Sequence, residues 1–259
     1  MKKNVILLVI LFVMTYAVSA QTQKPEIVTD RPDQTEAPSL VPTGGLQVET
    51  GFIYEKDRAA ELNSTNLTYN TTLIKYGINE HIELRFISEY LGETVKQSED
   101  QLTKVKGFSP LALGVKMKIA EENGIWPQAA FIGHINLKTG SEAFAPSYTA
   151  ADFRFTFAHT LSDKFSLSYN LGAEWDGETP DATFLYTLSL GYVVSDRAGL
   201  FVEGYSFFPE NAKADNRVDA GFTYKFTPVV QWDISAGLGL SDNAPDYFLS
   251  TGISFRAFK

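Results

Sequence analysis

From residue 46 onward the chain alternates apolar and polar residues with a period of two. The clearest stretch is 165–175, FSLSYNLGAEW. Phe165, Leu167, Tyr169, Leu171, Ala173 and Trp175 fall on one face, and Ser166, Ser168, Asn170, Gly172 and Glu174 on the other. Such alternation places the two sets on opposite sides of a β-strand. Marking every comparable segment predicts about twelve strands, at 46–56, 66–77, 81–91, 108–120, 125–138, 149–161, 165–176, 182–194, 197–208, 217–226, 229–240 and 246–257. Their length, ten to fourteen residues, exceeds the roughly five or six of soluble strands. It matches the roughly ten residues that a tilted strand needs to cross a membrane.

The connections alternate in length as well. Short ones are expected at 78–80, 121–124, 162–164, 195–196 and 227–228, and long ones at 57–65, 92–107, 139–148, 177–181, 209–216 and 241–245. Outer-membrane barrels have an even strand number, tight periplasmic turns and longer outer loops. A soluble barrel or sandwich has no reason to sort its loops this way. The predicted fold class is therefore all-β, a transmembrane antiparallel up-and-down β-barrel with both chain ends on the periplasmic side.

In such a barrel the apolar face meets lipid and the polar face lines the lumen. Phe153, Phe155 and Phe157 thus point outward, and Asp152, Arg154 and Thr156 inward. Aromatic residues gather at strand ends as interfacial girdles do, with Trp175 near the outer end and Trp232 near the periplasmic end. Pro127 disturbs the parity around Trp126.

Residues 1–20 stand apart from this pattern. Lys2 and Lys3 precede an apolar run at 5–14, and Val18, Ser19 and Ala20 supply small residues, which is the composition of a secretory signal cleaved near Ala20. The expected organisation is a signal peptide at 1–20, a polar periplasmic segment at 21–44 and a barrel at 45–259. Without Lys2 and Lys3, 20 basic residues stand against 31 acidic ones, a net charge of −11. This charge repels nucleic acid. There is no cysteine, hence no disulfide or thiolate metal site. No metal or cofactor motif is present, and oligomeric state is not legible.

Parity brings both signs of charge into the lumen. The acids are Glu49, Glu83, Glu89, Asp152, Glu174, Glu203, Asp219 and Asp233. The bases are Lys75, Arg85, Lys116, Lys118, Lys138, Arg154, Arg217, Lys225 and Arg256. A strongly ion-selective pore would show one dominant sign. A mixed lumen reads either as ion pairs that fill the interior or as a path for small polar or anionic solutes along Arg85, Lys116, His134 and Arg154. Twelve strands lie between the filled barrel of about eight and the open pore of about sixteen, so a narrow or gated passage is expected. The outer loops are acidic, which suits divalent cations that bridge to lipopolysaccharide or plain solvation.

An enzyme is the rival class, since twelve-stranded outer-membrane phospholipases use a histidine and a serine on the lipid face near the outer rim. Here His81 starts a strand at a periplasmic turn, His134 has lumenal parity, and His159 faces lipid near the periplasmic end. No catalytic residue is assigned. A structural or interaction barrel without a useful pore is the other alternative.

The run at 29–36, TDRPDQTE, precedes VPTGGLQVETGF at 41–52 and LIKYGINEHIELR at 73–85. Together these resemble the outer-membrane transporter-like family labelled "putative MetA-pathway of phenol degradation". That family typically carries a Thr-Asp-Arg-Pro-Asp-x-Thr-Glu run, a Gly-x-x-Gln-x-Glu-x-Gly-Phe strand, and an Arg-Tyr-Gly turn where this chain has Lys75. The resemblance implies a barrel that transports, with aromatic compounds among the expected solutes.

The 29–36 run itself is too polar for the membrane, which leaves the lumen or the periplasm. One reading is a disordered leader, consistent with its prolines. The other, supported by the resemblance, tucks Asp30, Arg31, Asp33, Thr35 and Glu36 into the periplasmic mouth as a partial plug. Its expected partners are Lys75, Glu83 and Arg85.

Overall fold

The structure, a computed structural model, describes residues 25–59, 62–97 and 102–258. The signal sequence expected at 1–20, with its cleavage near Ala20, lies outside the described residues. Among these residues there are thirteen strands: β1 (Gly45–Ala59), β2 (Leu62–Gly77), β3 (Ile82–Lys96), β4 (Leu102–Phe108), β5 (Ala112–Ala120), β6 (Gln128–Asn136), β7 (Ala150–Thr160), β8 (Phe165–Glu174), β9 (Thr183–Ser195), β10 (Ala198–Pro209), β11 (Asp215–Thr227), β12 (Val230–Gly239) and β13 (Tyr247–Phe258). Each pairs antiparallel with its sequence neighbours except β4 and β5, which both pair with β3, and β1 pairs with β13 from Gly45↔Phe258 to Lys56↔Tyr247, closing the sheet. Closure leaves no edge in the lower wall, where backbone groups are satisfied as lipid requires; only the outer arm β4 pairs on one side, with β3.

The thirteen strands occupy twelve positions around the barrel. The lower part of β3 pairs with β5 from Ile82↔Met117 to Ile87↔Ala112, and its upper part pairs with β4 from Tyr90↔Phe108 to Lys96↔Leu102. β4 and β5 are thus two halves of one wall position, interrupted at 109–111.

The strand expectations need correction at the outer end. Residues 57–65 and 92–107 do not form loops throughout. β1 and β2 stay paired up to Ala59↔Leu62, and β3 continues to Lys96 opposite β4. These arms rise beyond the membrane, where both faces meet water. The apolar alternation therefore stops although the pairing continues. At the opposite end the strand expected from residue 125 begins at Gln128; Trp126 instead lies in a turn, bridged to Asn123 and exposed.

Side-chain placement follows the parity. Leu84, Leu113, Phe155, Leu171, Leu188, Leu200, Ile234 and Leu249 stand exposed on the outer wall. In a soluble protein an apolar surface of this extent would be anomalous; here it is the lipid-facing band. The interior is polar: Gln47, Glu49, Lys75, Glu83, Lys116, Thr156, Asn170, Glu203, Asp233 and Ser254 are all buried. Among the described residues no helix is long and apolar enough to cross a membrane, and the spanning is done by strands.

Candidate functional site

Residues 25–43 enter the barrel from the end where the short turns lie. Ile27 N–H donates to the Pro228 carbonyl at 2.7 Å, and Arg256 donates to the Pro25 and Glu26 carbonyls at 3.3 and 3.4 Å. Ile27 is 1% exposed and Val41 3% exposed, so the two ends of the segment are anchored by apolar contacts. The segment returns to the mouth with a parallel bridge from Thr43 to Gly77, and Val41 N–H donates to Glu83 at 2.7 Å.

Between these anchors the chain climbs past the mouth toward the middle of the barrel. Asp30 and Arg31 N–H groups donate to the Glu49 carboxylate at 2.9 and 3.1 Å. Gln34 N–H donates to Glu203 at 2.7 Å, and the Thr35 hydroxyl contacts both Glu203 and, at 2.7 Å, Thr187. Asn170 clamps residue 36 from both sides, accepting from its N–H at 2.7 Å and donating to its carbonyl at 3.0 Å. Arg154 donates to the Gln34 carbonyl at 3.0 Å and Lys116 to the Ala37 carbonyl at 2.7 Å. An irregular segment must place its backbone polar groups somewhere, and here lumenal side chains receive or supply them.

Charge is partly sorted across the lumen, with Glu49, Glu83 and Asp152 standing among the cations on β1, β3 and β7. Lys75, Arg85, Lys116 and Arg154 come from β2, β3, β5 and β7; Glu203, Asp219 and Asp233 come from β10, β11 and β12. The segment matches both walls. Asp30 accepts from Lys75 at 2.8 Å, Arg85 at 2.9 Å and Lys116 at 3.0 Å, and Glu36 pairs with Arg85 at 2.6 Å. Lys75 also pairs with Glu49, and Arg85 with Glu83 at 3.2 Å. Arg31 turns the other way, to Asp233 at 3.0 Å, Ser250 at 2.9 Å and Thr71 at 3.3 Å. Asp33 faces the acidic wall and has no cationic partner among the described residues.

The carboxyl groups of the segment respond accordingly. Burial alone would raise Asp30, but Lys116, Lys75 and Arg85 together hold its carboxyl well below the usual carboxylate range. Burial likewise opposes the ionisation of Glu36, but Arg85, Arg154 and Lys116 together outweigh it, so this carboxyl is lowered. Asp33 is raised well above its ordinary value, first by burial and then by Glu203 and Asp219.

The other residues singled out from sequence divide into groups. His134 lies beside Arg85 (3.0 Å) and Asp152 (2.8 Å), and so links the segment's cationic seat to the outer part of the lumen. Arg217 pairs with Asp215 at 2.5 Å and Glu55 at 2.9 Å, above the segment. Arg256 holds Gln47 at the periplasmic end. Asp219 is buried opposite Glu203 in the β10–β11 register, with no hydrogen-bond partner on either carboxylate oxygen among the described residues. Lys138 lies beyond the end of β6 and is exposed, so it does not belong with the lumenal bases.

Parity alone missed the neutral residues that hold the backbone: Asn170, Thr187, Gln231 and Gln47. Their inward position was legible, but nothing marked them as partners of residues 28–36.

Two cavities flank the segment along the barrel. One, of about 330 Å³, opens at the loop end between Glu174, Thr183, Phe207, Lys213, Asp215 and Arg217. The other, of about 350 Å³, lies at the turn end between residues 39–43, Glu80, Lys118 and Gln128.

The family described as "Putative MetA-pathway of phenol degradation" matches the chain over residues 29–257. Among curated proteins none matches the sequence. An outer membrane channel from Pseudomonas putida F1 superposes with a TM-score of 0.69 at 14% identity, covering 85% of this chain and 97% of that one. The KdgM porin gives 0.51 at 10% identity, covering 82% and 99%. The translocator domain of the autotransporter NalP from Neisseria meningitidis gives 0.56 at 12%, covering 83% and 90%. At these identities the likeness establishes the fold, that of an outer-membrane β-barrel.

Proposed function

The chain belongs to the "Putative MetA-pathway of phenol degradation" family, and on that premise we propose that it is an outer-membrane channel for small molecules, closed at rest by its own N-terminal segment. The observation that carries this reading is the position of residues 29–37. They are bonded to Glu49, Lys75, Arg85, Lys116, Arg154, Asn170 and Glu203 around the lumen, and cavities lie on either side. Passage requires this segment to shift, and its charges set the cost.

The cationic seat is the part of the lumen that a solute meets once the segment moves. Lys75, Arg85 and Lys116 lose the Asp30 carboxylate at that moment, which favours solutes that bring a negative or strongly polar group. Catalysis has no support in the placement of the histidines: His134 is engaged by Arg85 and Asp152 inside the lumen, and His159 stacks on Tyr169 on the outer wall.

Thr35 and Thr187 supply the test, because their hydroxyl oxygens lie 2.7 Å apart and the chain has no cysteine of its own. The T35C/T187C protein, oxidised in a planar bilayer, is expected to show lower conductance than the same protein after reduction. Deletion of residues 25–40 is expected to raise conductance above that of the unmodified protein. A locked protein that conducts like the reduced one overturns closure by the segment. A deletion variant with neither conductance nor liposome flux overturns the channel and leaves a structural barrel.

A further inference from the structure

The outward face of the wall formed by β1–β4 carries a chemistry that the rest of the barrel lacks. Phe52, Tyr69, Tyr90 and Phe108 form a row across these four strands, with ring centroids 6.5, 5.9 and 5.1 Å apart. Aromatic rows of this kind mark the membrane–water interface, and this one lies at the loop end, the outer leaflet side. Below it the outward positions pass through Thr50, Asn70 and Thr72 to apolar residues such as Leu46 and Leu84 on β1 and β3 and Leu113 and Met117 on β5.

Above the row the outward positions turn basic. They hold Lys56 and Arg58 on β1, Lys96 on β3, and Lys104 and Lys106 on β4. The registers Lys56↔Thr65, Thr65↔Thr94 and Thr94↔Lys104 put Lys56 and Lys104 on one level, separated by strand spacings of about 4.8 Å each. The Lys106 ammonium stands 4.6 Å over the Tyr69 ring, which holds one charge at the aromatic row itself. Arg58 pairs with Asp246 at 2.7 Å. Lys96, Lys104 and Lys106 are exposed and make no ion pair among the described residues.

Two contrasts make the patch specific. No outward position of β1–β4 is acidic, and no outward position of β5–β13 is Lys or Arg. The chain as a whole carries a net charge of −9. A protein this acidic has nevertheless gathered its lipid-side cations at one place, immediately above an aromatic row.

We propose that this patch binds the phosphorylated headgroup of outer-leaflet lipopolysaccharide. Lys96, Lys104, Lys106 and Lys56 would take the phosphates, and the acyl chains would lie against Phe52, Tyr90 and Phe108. Charge complementarity selects the headgroup, and the aromatic row fixes its height. The site is independent of the lumen and of the channel reading.

The test uses the full-length barrel in a neutral detergent, titrated with diphosphoryl lipid A and with the same lipid after removal of its phosphates. The unmodified protein is expected to bind the diphosphoryl form at least about tenfold more tightly than the dephosphorylated form. K96Q/K104Q/K106Q is expected to lose that difference while keeping the heat-modifiable mobility of a folded barrel. K213Q, which removes an exposed cation elsewhere, is expected to bind like the unmodified protein.

Equal affinity in the triple variant, or equal affinity for the dephosphorylated lipid, overturns the proposal. So does an equal loss in K213Q, which would mean attraction without a site. Displacement of lipid A by inorganic phosphate at similar concentration would make this a small-anion site and overturn its assignment to a lipid.

Discussion

Arg31 bonds Asp233 at 3.0 Å across 202 residues of chain, and it reaches that carboxylate through a gap left by two glycines. Gly51 and Gly252 are direct partners in the β1–β13 register, and the Arg31 guanidinium lies against both. A Cβ at either position would collide with it. The glycines give a cation of the N-terminal segment its route to the acidic wall.

Gly252→Ala is therefore expected to expel Arg31 from its slot. The cost is of the order of overpacking, about 1–3 kcal/mol, and it falls on the docking of the segment and also on the β1–β13 pairing, since the new Cβ would lie 2.6 Å from the Thr50 carbonyl oxygen. Single-channel recording should show more frequent or larger openings, with electrophoretic mobility of the folded barrel unchanged. Unchanged recordings would mean that Arg31 does not hold the segment.

Asp30→Asn removes the one carboxylate shared by Lys75, Arg85 and Lys116. Breaking a buried ion pair by deleting one partner typically costs about 3–5 kcal/mol, because the remaining charges stay buried. The expected readout is cleavage within residues 25–42 at protease levels that leave the parent protein intact. Gln47 and Arg256 still hold residues 25–28, so release is expected to start at the tip.

The pH dependence carries two opposite signs. Asp30 and Glu36 have docked carboxyl groups below their free values. Their contribution is present above the free value and is lost as pH falls through the docked one. Asp33 is raised on docking. What it contributes is complete below its free value and is lost as pH rises through the raised one. Raising pH above the ordinary carboxylate range should thus loosen the tip in the parent protein, and Asp33→Asn should flatten that limb. Conductance against pH in the two proteins checks this; identical alkaline limbs would refute the assignment to Asp33.

Leu171 and Asn170 are adjacent in β8 and belong to different environments. Leu171 stands on the outer wall, 53% exposed, and Asn170 is wholly buried in the lumen. Leu171→Arg should destabilise the membrane-inserted barrel by about 2–4 kcal/mol, measured by denaturant titration in lipid vesicles. Asn170→Ala should leave insertion unaffected and instead free residue 36, whose N–H and carbonyl it holds.

How much of this was readable beforehand differs by element. The lipid-facing and lumenal sets of β5–β13 follow from alternation alone, since Leu171 and Asn170 differ by one position along a strand of period two. The outer arms of β1–β4 did not follow, because Thr65, Thr94 and Lys104 lie where both faces are wet and alternation carries no information. Lys138 was placed with the lumenal bases by extending the parity of β6 past its end at Asn136.

The sequence by itself determined the barrel: its wall, its even strand order, and a charged interior that included Lys75, Glu83, Arg85 and Lys116. Those features are local, written in neighbouring residues and in the contrast between lipid and water. Tertiary structure alone decided how far the 29–36 run climbs and which wall each of its charges meets. Asp30 finds three cations from three strands, Arg31 finds Asp233 past Gly51 and Gly252, and Asp33 is left against Glu203 and Asp219. These pairings join residues 45 to 202 positions apart, and only closure of the sheet brings them within reach of one another.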